Sequence, residues 1–388
     1  MSPSPTDFDF AVPPDDARCG TKIVATIGPA SEDRIIALID AGMSVARINF
    51  SHGVDEDHRR RVQKVRTAAR LRGVAVGILA DIQGPKLRLG TLASGELRLQ
   101  KGQDVRLIEG ESSADPDVIP FNFQGFDGSL KLGDRVLLAD AAVELVTHSI
   151  DGGRVVGRVR RAGTINDRKG VHLPDSYLSF ELPTQQDRVH ISLAQELGID
   201  FLGVSFVSRG EDLVRIRELA PKMRLVAKIE RRTALTNLKG ILEVTDGVMV
   251  ARGDLGVETQ LEHLPLIQKT LIQESLKAGR FVITATEMLE SMVHASRPTR
   301  AEVTDVANAV LDGSDAVMLS AETAVGDYPV EAVATMARIA RAVESSHRYH
   351  DLPRVSFRQN EPTFSNETAL AAAQAAEALG IHKIICFT

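Results

Sequence analysis

A closed (β/α)8 barrel is the fold this sequence predicts, with a small all-β lid domain inserted after the third strand and a partial α/β domain at the end. Three observations lead there. Eight short apolar runs recur along the chain, and segments of helical periodicity separate most of them. One long interruption, residues 88–183, alternates at period two instead. Strand, helix, strand, repeated eight times, is the pattern of a closed parallel barrel. A doubly wound open sheet is the alternative, but no Gly-x-Gly-x-x-Gly follows any run, which removes support for its dinucleotide-binding form.

The elements follow in order. Residues 1–20, "MSPSPTDFDFAVPPDDARCG", are rich in Pro and Asp, lack the apolar stretch of a secretory signal and read as a loose polar arm. The barrel is expected over 21–87 and 184–346. Its first three runs are "TKIVATIG", "SVARINF" and "GVAVGILADI". Between them lie "SEDRIIALIDAG", which opens on Ser31 and closes on Gly42 like a capped helix, and "DEDHRRRVQKVRTAARLRG". The insertion reads as strands separated by Gly-rich turns, as in "GELRLQKGQDVRLIEG" and "RVVGRVRRAGTI". It interrupts the barrel on the face where loops carry function, which suits a ligand-covering lid; an inert insertion is the plainer alternative. The remaining runs are "DFLGVSF", "RLVAKIE", "GVMVARG", "FVITAT" and "AVMLS". "LEHLPLIQKTLIQESLKAG" has helical spacing, and "TRAEVTDVANAVLDG" opens with a capping box formed by Thr299 and Glu302. Residues 347–388 offer a polar link, one helix and one strand, the beginning of an α/β domain that cannot bury a core alone.

Composition narrows the function. The absence of Trp and an aromatic content of 4% mean an aliphatic core, as buried parallel strands prefer. A net charge of −6 argues against a nucleic-acid binder held by a broad basic surface. No run approaches the roughly eighteen apolar residues of a membrane span. Cys19 and Cys386 form a poor disulfide framework, so a cytoplasmic protein is expected.

Chemistry gathers at the C-terminal strand ends, where a barrel of this kind opens its site. The second strand presents Arg47 and Asn49 on one face, then Ser51 and His52. The third ends in Asp81, and the turn "ADIQGPKLRLG" adds Lys86 and Arg88. Period two puts Lys228 and Glu230 on one face of the fifth. The sixth offers Arg252, Gly253 and Asp254, the seventh Thr284, Thr286 and Glu287, and the eighth "LSAET". Each residue has a plainer reading. Glu230 beside Arg231 and Arg232 would suit a solvated charge cluster, Asp254 a helix cap, Thr286 a structural hydroxyl and His52 a turn. Together, however, Glu230 and Asp254 without His or Cys ligands favour a hard divalent ion, Mg²⁺ or Mn²⁺. Arg47 and Lys228 beside it imply a substrate carrying phosphate or carboxylate. Gly253 would let backbone N–H groups approach an anion at a helix start. Phosphoryl transfer and enolate stabilisation both fit such a set, and charge alone does not choose between them.

The blocks "TKIVATIGPAS", "GMSVARINFSHG", "DIQGPKLR", "KGVHLP", "VAKIE", "DGVMVARGDLGVE", "ATEMLESM" and "PTRAEVTDVANAVLDGSDAVMLSAETAVGDYP" resemble the pyruvate kinase family, in its order, from Thr21 to about Ser346. The resemblance implies phosphoryl transfer from phosphoenolpyruvate to ADP, then protonation of enolpyruvate. It assigns Lys228 to the transferring phosphoryl group and Glu230 and Asp254 to the metal. Arg47, Lys228, Gly253, Asp254 and Thr286 go to phosphoenolpyruvate, and Ser320 with Thr286 to the hydroxyls near enolate protonation. Asn49, Ser51, His52, Arg88 and the lid's Lys169 go to the nucleotide. Many members bind K⁺ at positions matching Asn49, Ser51, Asp81 and Ile82. Here Lys86 stands where those members carry Glu, so its ammonium, held by Asp81, is expected to replace K⁺. A surface lysine on a turn is the alternative. Glu287, Ala321, Val325 and the His and Asp of "KGVHLPD" also depart from the family pattern. The C-terminal elements that carry effector sites and a subunit interface are not matched, which puts effector regulation and the usual tetramer in doubt. A homo-oligomer, dimer or tetramer, is still expected. Two other readings stay open: a Mg²⁺-dependent barrel lyase or aldolase acting through pyruvate enolate, and a non-catalytic product.

Overall fold

The computed structural model describes residues 19–122, 126–139, 141–151, 154–176, 182–350, 364–381 and 384. All eight apolar runs are strands, and they close into one parallel barrel. In chain order these are β1 (Lys22–Thr26), β2 (Met43–Asn49) and β3 (Gly77–Ile82) before the insertion. The insertion holds β4 (Glu96–Leu99), β5 (Asp104–Glu109), β6 (Val118–Phe121), β7 (Arg135–Leu138), β8 (Val143–Asp151), β9 (Arg154–Arg161), β10 (Gly163–Asn166) and β11 (Val171–His172). The barrel resumes with β12 (Phe201–Val204), β13 (Arg224–Ile229), β14 (Gly247–Ala251), β15 (Phe281–Ala285) and β16 (Ala316–Leu319). β3 pairs directly with β12, so the insertion leaves the barrel ladder unbroken. β1 closes the ring on β16.

Alternation along each strand separates two cores. Val24, Leu79, Val226, Met249, Ile283 and Met318 pack together inside the barrel. Their neighbours one residue away, among them Ile23, Ala25, Ile78, Ala80, Leu225 and Ala227, pack outward against the helices. Side chains on a strand alternate faces, so one residue's shift decides which core is joined. The N-terminal mouth is plugged by Phe201 and Phe281, edge to face at 5.8 Å. Gly247 makes room for that plug, since a Cβ there would lie 2.3 Å from the Phe281 ring.

The insertion forms a six-stranded sheet, β11-β7-β8-β9-β5-β6, and a two-stranded one, β10-β4. Its own hydrophobic core includes Leu107, Phe121, Val136, Leu145 and Val159. A bridge between Arg88 and Gly170 draws its entry and exit segments together. Thr299 and Glu302 form the expected capping box at the head of the helix Arg300–Leu311. Ser31 behaves differently from expectation: the helix begins at Ile35, and the Ser31 hydroxyl instead accepts the Gly28 N–H at 3.0 Å. A helix spans Phe364–Ala378, where the sequence predicts one. The expected strand "HKIICFT" apart from Ile384, most of the preceding link and all of the N-terminal arm before Cys19 lie outside the described residues.

Candidate active site

The inner core predicts where the site's side chains point. Two residues beyond Val24, Leu79, Val226 and Met318, on the same inward face, stand Thr26, Asp81, Lys228 and Ser320. Val45 packs against the same core, and two residues on stands Arg47. Apolar layers therefore fill the barrel, and the next layer toward the C-terminal mouth is polar.

That layer is a closed network. Lys228 Nζ donates to Asp81 Oδ1 at 3.0 Å and to Ser205 Oγ at 2.7 Å, and lies 2.9 Å from Glu230 Oε1. Arg47 donates from Nε to Asp81 Oδ2 at 2.8 Å and from Nη1 to Thr26 Oγ1 at 2.9 Å. Asp81 and Glu230 are each only 2% exposed. Burial alone would raise the Asp81 carboxyl, but the Lys228 and Arg47 charges outweigh it and hold it below its usual value. Burial likewise opposes a charged Lys228, and Asp81 with Glu230 overcomes it, so the ammonium is held well above its ordinary pKa. Glu230 moves the other way. Burial and the nearby Asp254 charge push it up against the pull of Lys228. The Phe206 N–H, donated to Glu230 Oε2 at 2.8 Å, is aimed by a backbone in the left-handed region at φ 59°.

Ser205 and Thr26 were not singled out in the sequence. Both end strands whose tips carry no charge, yet each completes a bond to Lys228 or Arg47. Their signal in the sequence is position alone, at the C-terminal ends of the first and fourth apolar runs.

The loops after β14 and β15 are tied together. Gly253 donates its N–H to Thr286 Oγ1 at 2.8 Å, so an anion at that N–H would have to compete with the hydroxyl. Thr286 and Glu287 both sit in the left-handed region, at φ 71° and 53°. Such backbone costs about 1–3 kcal/mol per residue and needs support. Arg252 supplies it, donating to Thr286 O at 2.7 Å and to Asp305 Oδ1 at 2.7 Å. Arg252 is thus a brace rather than a ligand cation at the rim. Asp254 lies in the first turn of the short helix Arg252–Glu258 and makes no capping bond. Ser320 donates its N–H to Glu322 Oε2 at 2.6 Å; among the described residues, no hydrogen bond joins its hydroxyl to Lys228 or Thr286.

A second, looser group flanks the network. Asn49 Oδ1 accepts the Ser51 N–H at 3.1 Å and shapes the turn that carries His52. Phe50 stacks on His58 at 4.3 Å behind that turn. Burial, then the charges of Arg88, Lys86 and Arg47, hold the His52 imidazole below its usual pKa, which places these cations around it. Leu89 donates its N–H to Lys169 O at 2.8 Å, so the exposed Lys169 belongs to the segment paired with Arg88 and Leu89. The expected pairing of Lys86 with Asp81 is corrected. Asp81 is occupied by Arg47 and Lys228, and among the described residues Lys86 makes no ion pair. The Ile82 carbonyl is also in use, accepting the Ser205 hydroxyl at 2.7 Å.

Among the described residues no group of three or more His, Cys, Asp or Glu is arranged to hold a metal. The chain offers two carboxylates, Glu230 and Asp254, close enough for the charge of one to raise the other. That donor set fits Mg²⁺ or Mn²⁺, which complete their shell with water and substrate oxygens. No helix among the described residues is long and apolar enough to cross a membrane.

The family model described as pyruvate kinase, barrel domain, matches residues 18–333. A pyruvate kinase of Geobacillus stearothermophilus is 41% identical over 374 residues, covering 94% of this chain and 64% of the relative. One of Methylorubrum extorquens is 43% identical over 371 residues, covering 95% and 78%. One of Mycobacterium tuberculosis is 45% identical over 331 residues, covering 84% and 70%. The chain thus spans between 64% and 78% of the length of these relatives.

Proposed function

The chain belongs to the pyruvate kinase family, and on that premise we propose that it transfers the phosphoryl group of phosphoenolpyruvate to ADP. A β-phosphate oxygen of ADP forms the new P–O bond, the bond to the enol oxygen breaks, and the enolate gains a proton at carbon to become pyruvate. The observation that carries this reading is Lys228, an ammonium held in the barrel mouth by Asp81, Ser205 and Glu230. A cation fixed beforehand needs no reorganisation when charge develops on the transferring group. Arg47 and Thr286 orient the anionic ends of phosphoenolpyruvate, and Gly253 offers it a backbone N–H. Thr286 and Ser320 are the hydroxyls assigned to enolate protonation. His52, Arg88 and Lys169, beside Asn49 and Ser51, take the nucleotide phosphates under the inserted sheet, residues 88–183 acting as a lid.

Glu230 and Asp254 would hold the divalent ion, which when bound neutralises charge on the phosphoryl oxygens. Lys86 adds a fixed positive charge beside His52 rather than on Asp81, and we read it as removing the need for K⁺ at the site bounded by Asn49, Ser51, Asp81 and Ile82. A coupled assay of pyruvate formation tests the whole reading. Turnover requiring both ADP and phosphoenolpyruvate is expected. Pyruvate released from a larger acid without ADP would indicate a lyase, and a folded chain with no turnover would remove the reading.

A further inference from the structure

Two side chains of the inserted sheet reach the barrel on either side of the carboxylate pair. β11 is the edge strand of the six-stranded sheet, paired to β7 through Val171 with Leu138 and His172 with Leu137. From that edge His172, 4% exposed, brings Nε2 to 3.9 Å from Asp254 Oδ1. Three residues on, Asp175 accepts from Arg135 Nε at 2.7 Å and Nη2 at 2.8 Å, which fixes its carboxylate on the sheet. The oxygen that accepts Arg135 Nη2, Oδ1, also lies 3.7 Å from Arg232 Nη1 on the barrel. Arg232 opens the helix that follows Glu230 directly, and Asp254 lies on the helix Arg252–Glu258. Arg231 and Glu258 tie those two helices together at 4.0 Å.

We propose that His172 is a positioning residue that orients Asp254 for the divalent ion, with Asp175 and Arg232 setting the approach of the inserted sheet. The inference rests on the assignment of Asp254 as a metal ligand. A separation of 3.9 Å is about an ångström too long for a hydrogen bond, and such a contact shortens when the ligand it serves, here the cation itself, binds. With its proton on Nε2, the imidazole then donates to Oδ1 and leaves the other carboxylate oxygen for the cation. Hydrogen bonds to a ligating carboxylate fix its orientation and commonly change metal affinity by about 10–100-fold. Lys169 lies on the same short segment as His172, so the approach that brings Lys169 to a nucleotide also closes His172 on Asp254. Nucleotide and metal then favour one another by an equal factor.

The test is Mn²⁺ binding to the full chain without substrate, read from the electron paramagnetic resonance signal of the free ion, with thermal melting as a check of folding. His172→Leu removes the donor and is expected to weaken Mn²⁺ by about tenfold. His172→Gln keeps an N–H near the position of Nε2 and is expected to stay within about threefold of wild type. Asp254→Asn serves as the reference for loss of the ligand itself. Unchanged Mn²⁺ affinity in His172→Leu, alongside a clear loss in Asp254→Asn, would overturn the inference alone. Equal weakening in His172→Leu and His172→Gln would assign the effect to packing and overturn it as well. Unchanged affinity in Asp254→Asn would instead remove the metal assignment beneath it.

Discussion

The two halves of the barrel mouth carry similar cations and use them in opposite ways. Around Lys228 each charge is satisfied within the protein. Asp81 accepts from Arg47 and Lys228, and Glu230 holds Lys228 and the Phe206 N–H. Around His52 the cations Lys86, Arg88 and Lys169 make no ion pair among the described residues, and Lys169 is exposed. A network that is already paired is rigid, with its dipoles aimed before substrate arrives. Unpaired surface cations keep their capacity for an anion that binds later. On the proposed reading, one half would stabilise charge during reaction and the other would collect a phosphate chain.

The largest effect that sharpens this contrast lies in the closed half. Glu230→Gln and Asp254→Asn should each lower kcat/KM on the order of 10²-fold or more and raise the Mg²⁺ needed for half-maximal turnover. The double variant should be little worse than the worse single one, because a shared ion is lost once. Additive losses in a Mg²⁺ titration would split the pair into independent roles.

Ser205→Ala probes the same half through a residue with no charge. It leaves Lys228 short of one acceptor and the Ile82 carbonyl short of a donor, each in a buried setting. An unmet buried group costs about 1–3 kcal/mol, so turnover should fall about tenfold and the melting temperature should drop. Wild-type turnover in this variant would show that the network is not as tightly closed as the distances indicate.

In the open half the expected effect is a null. Turnover titrated with KCl against tetramethylammonium chloride at constant ionic strength should change by less than about twofold, since constant screening isolates a specific ion requirement. A large saturable rise with K⁺ would show that Lys86 does not supply the monovalent charge.

A smaller effect concerns what supports the open half. His58 and His190 pack against Phe50, behind the turn carrying Ser51 and His52. Burial, then the charges of Arg61 and His190, lowers His58 from 6.5 to about 4, against the weaker pull of Asp55 and Asp57. Between those values the unfolded chain binds the proton and the folded one does not. The contribution is therefore intact above pH 6.5 and is lost as the pH falls toward about 4. Urea midpoints should decline across that window, and His58→Gln should flatten the decline. A parallel decline in the variant would place its cause elsewhere.

Much of this was legible in the sequence because burial on both faces makes barrel strands aliphatic, which set all eight runs apart. Charged strand ends were legible for the same reason: Lys228 and Glu230 interrupt "RLVAKIE" on one face. What was lost depended on closure of the ring. Only the packing of β2, β3 and β13 around one axis shows that Asp81 belongs to Arg47 and Lys228, leaving nothing for Lys86. Ser205 and Thr26 look like ordinary strand residues until a neighbour's cation arrives. Arg252 looked available at the rim, and its partners are Asp305 and backbone carbonyls that no motif displays. The left-handed backbone at Thr286 and Glu287 had no Gly or Asn to announce it.

The division between the halves is tested most directly by measuring kcat and KM for ADP in Lys228→Met and Lys169→Ala side by side. Loss of the fixed cation should lower kcat by about 10²–10³-fold and leave KM for ADP within about threefold of wild type. Loss of the exposed one should raise KM for ADP severalfold and leave kcat nearly unchanged. Full turnover in folded Lys228→Met, or a fall in kcat at constant KM in Lys169→Ala, would contradict the account.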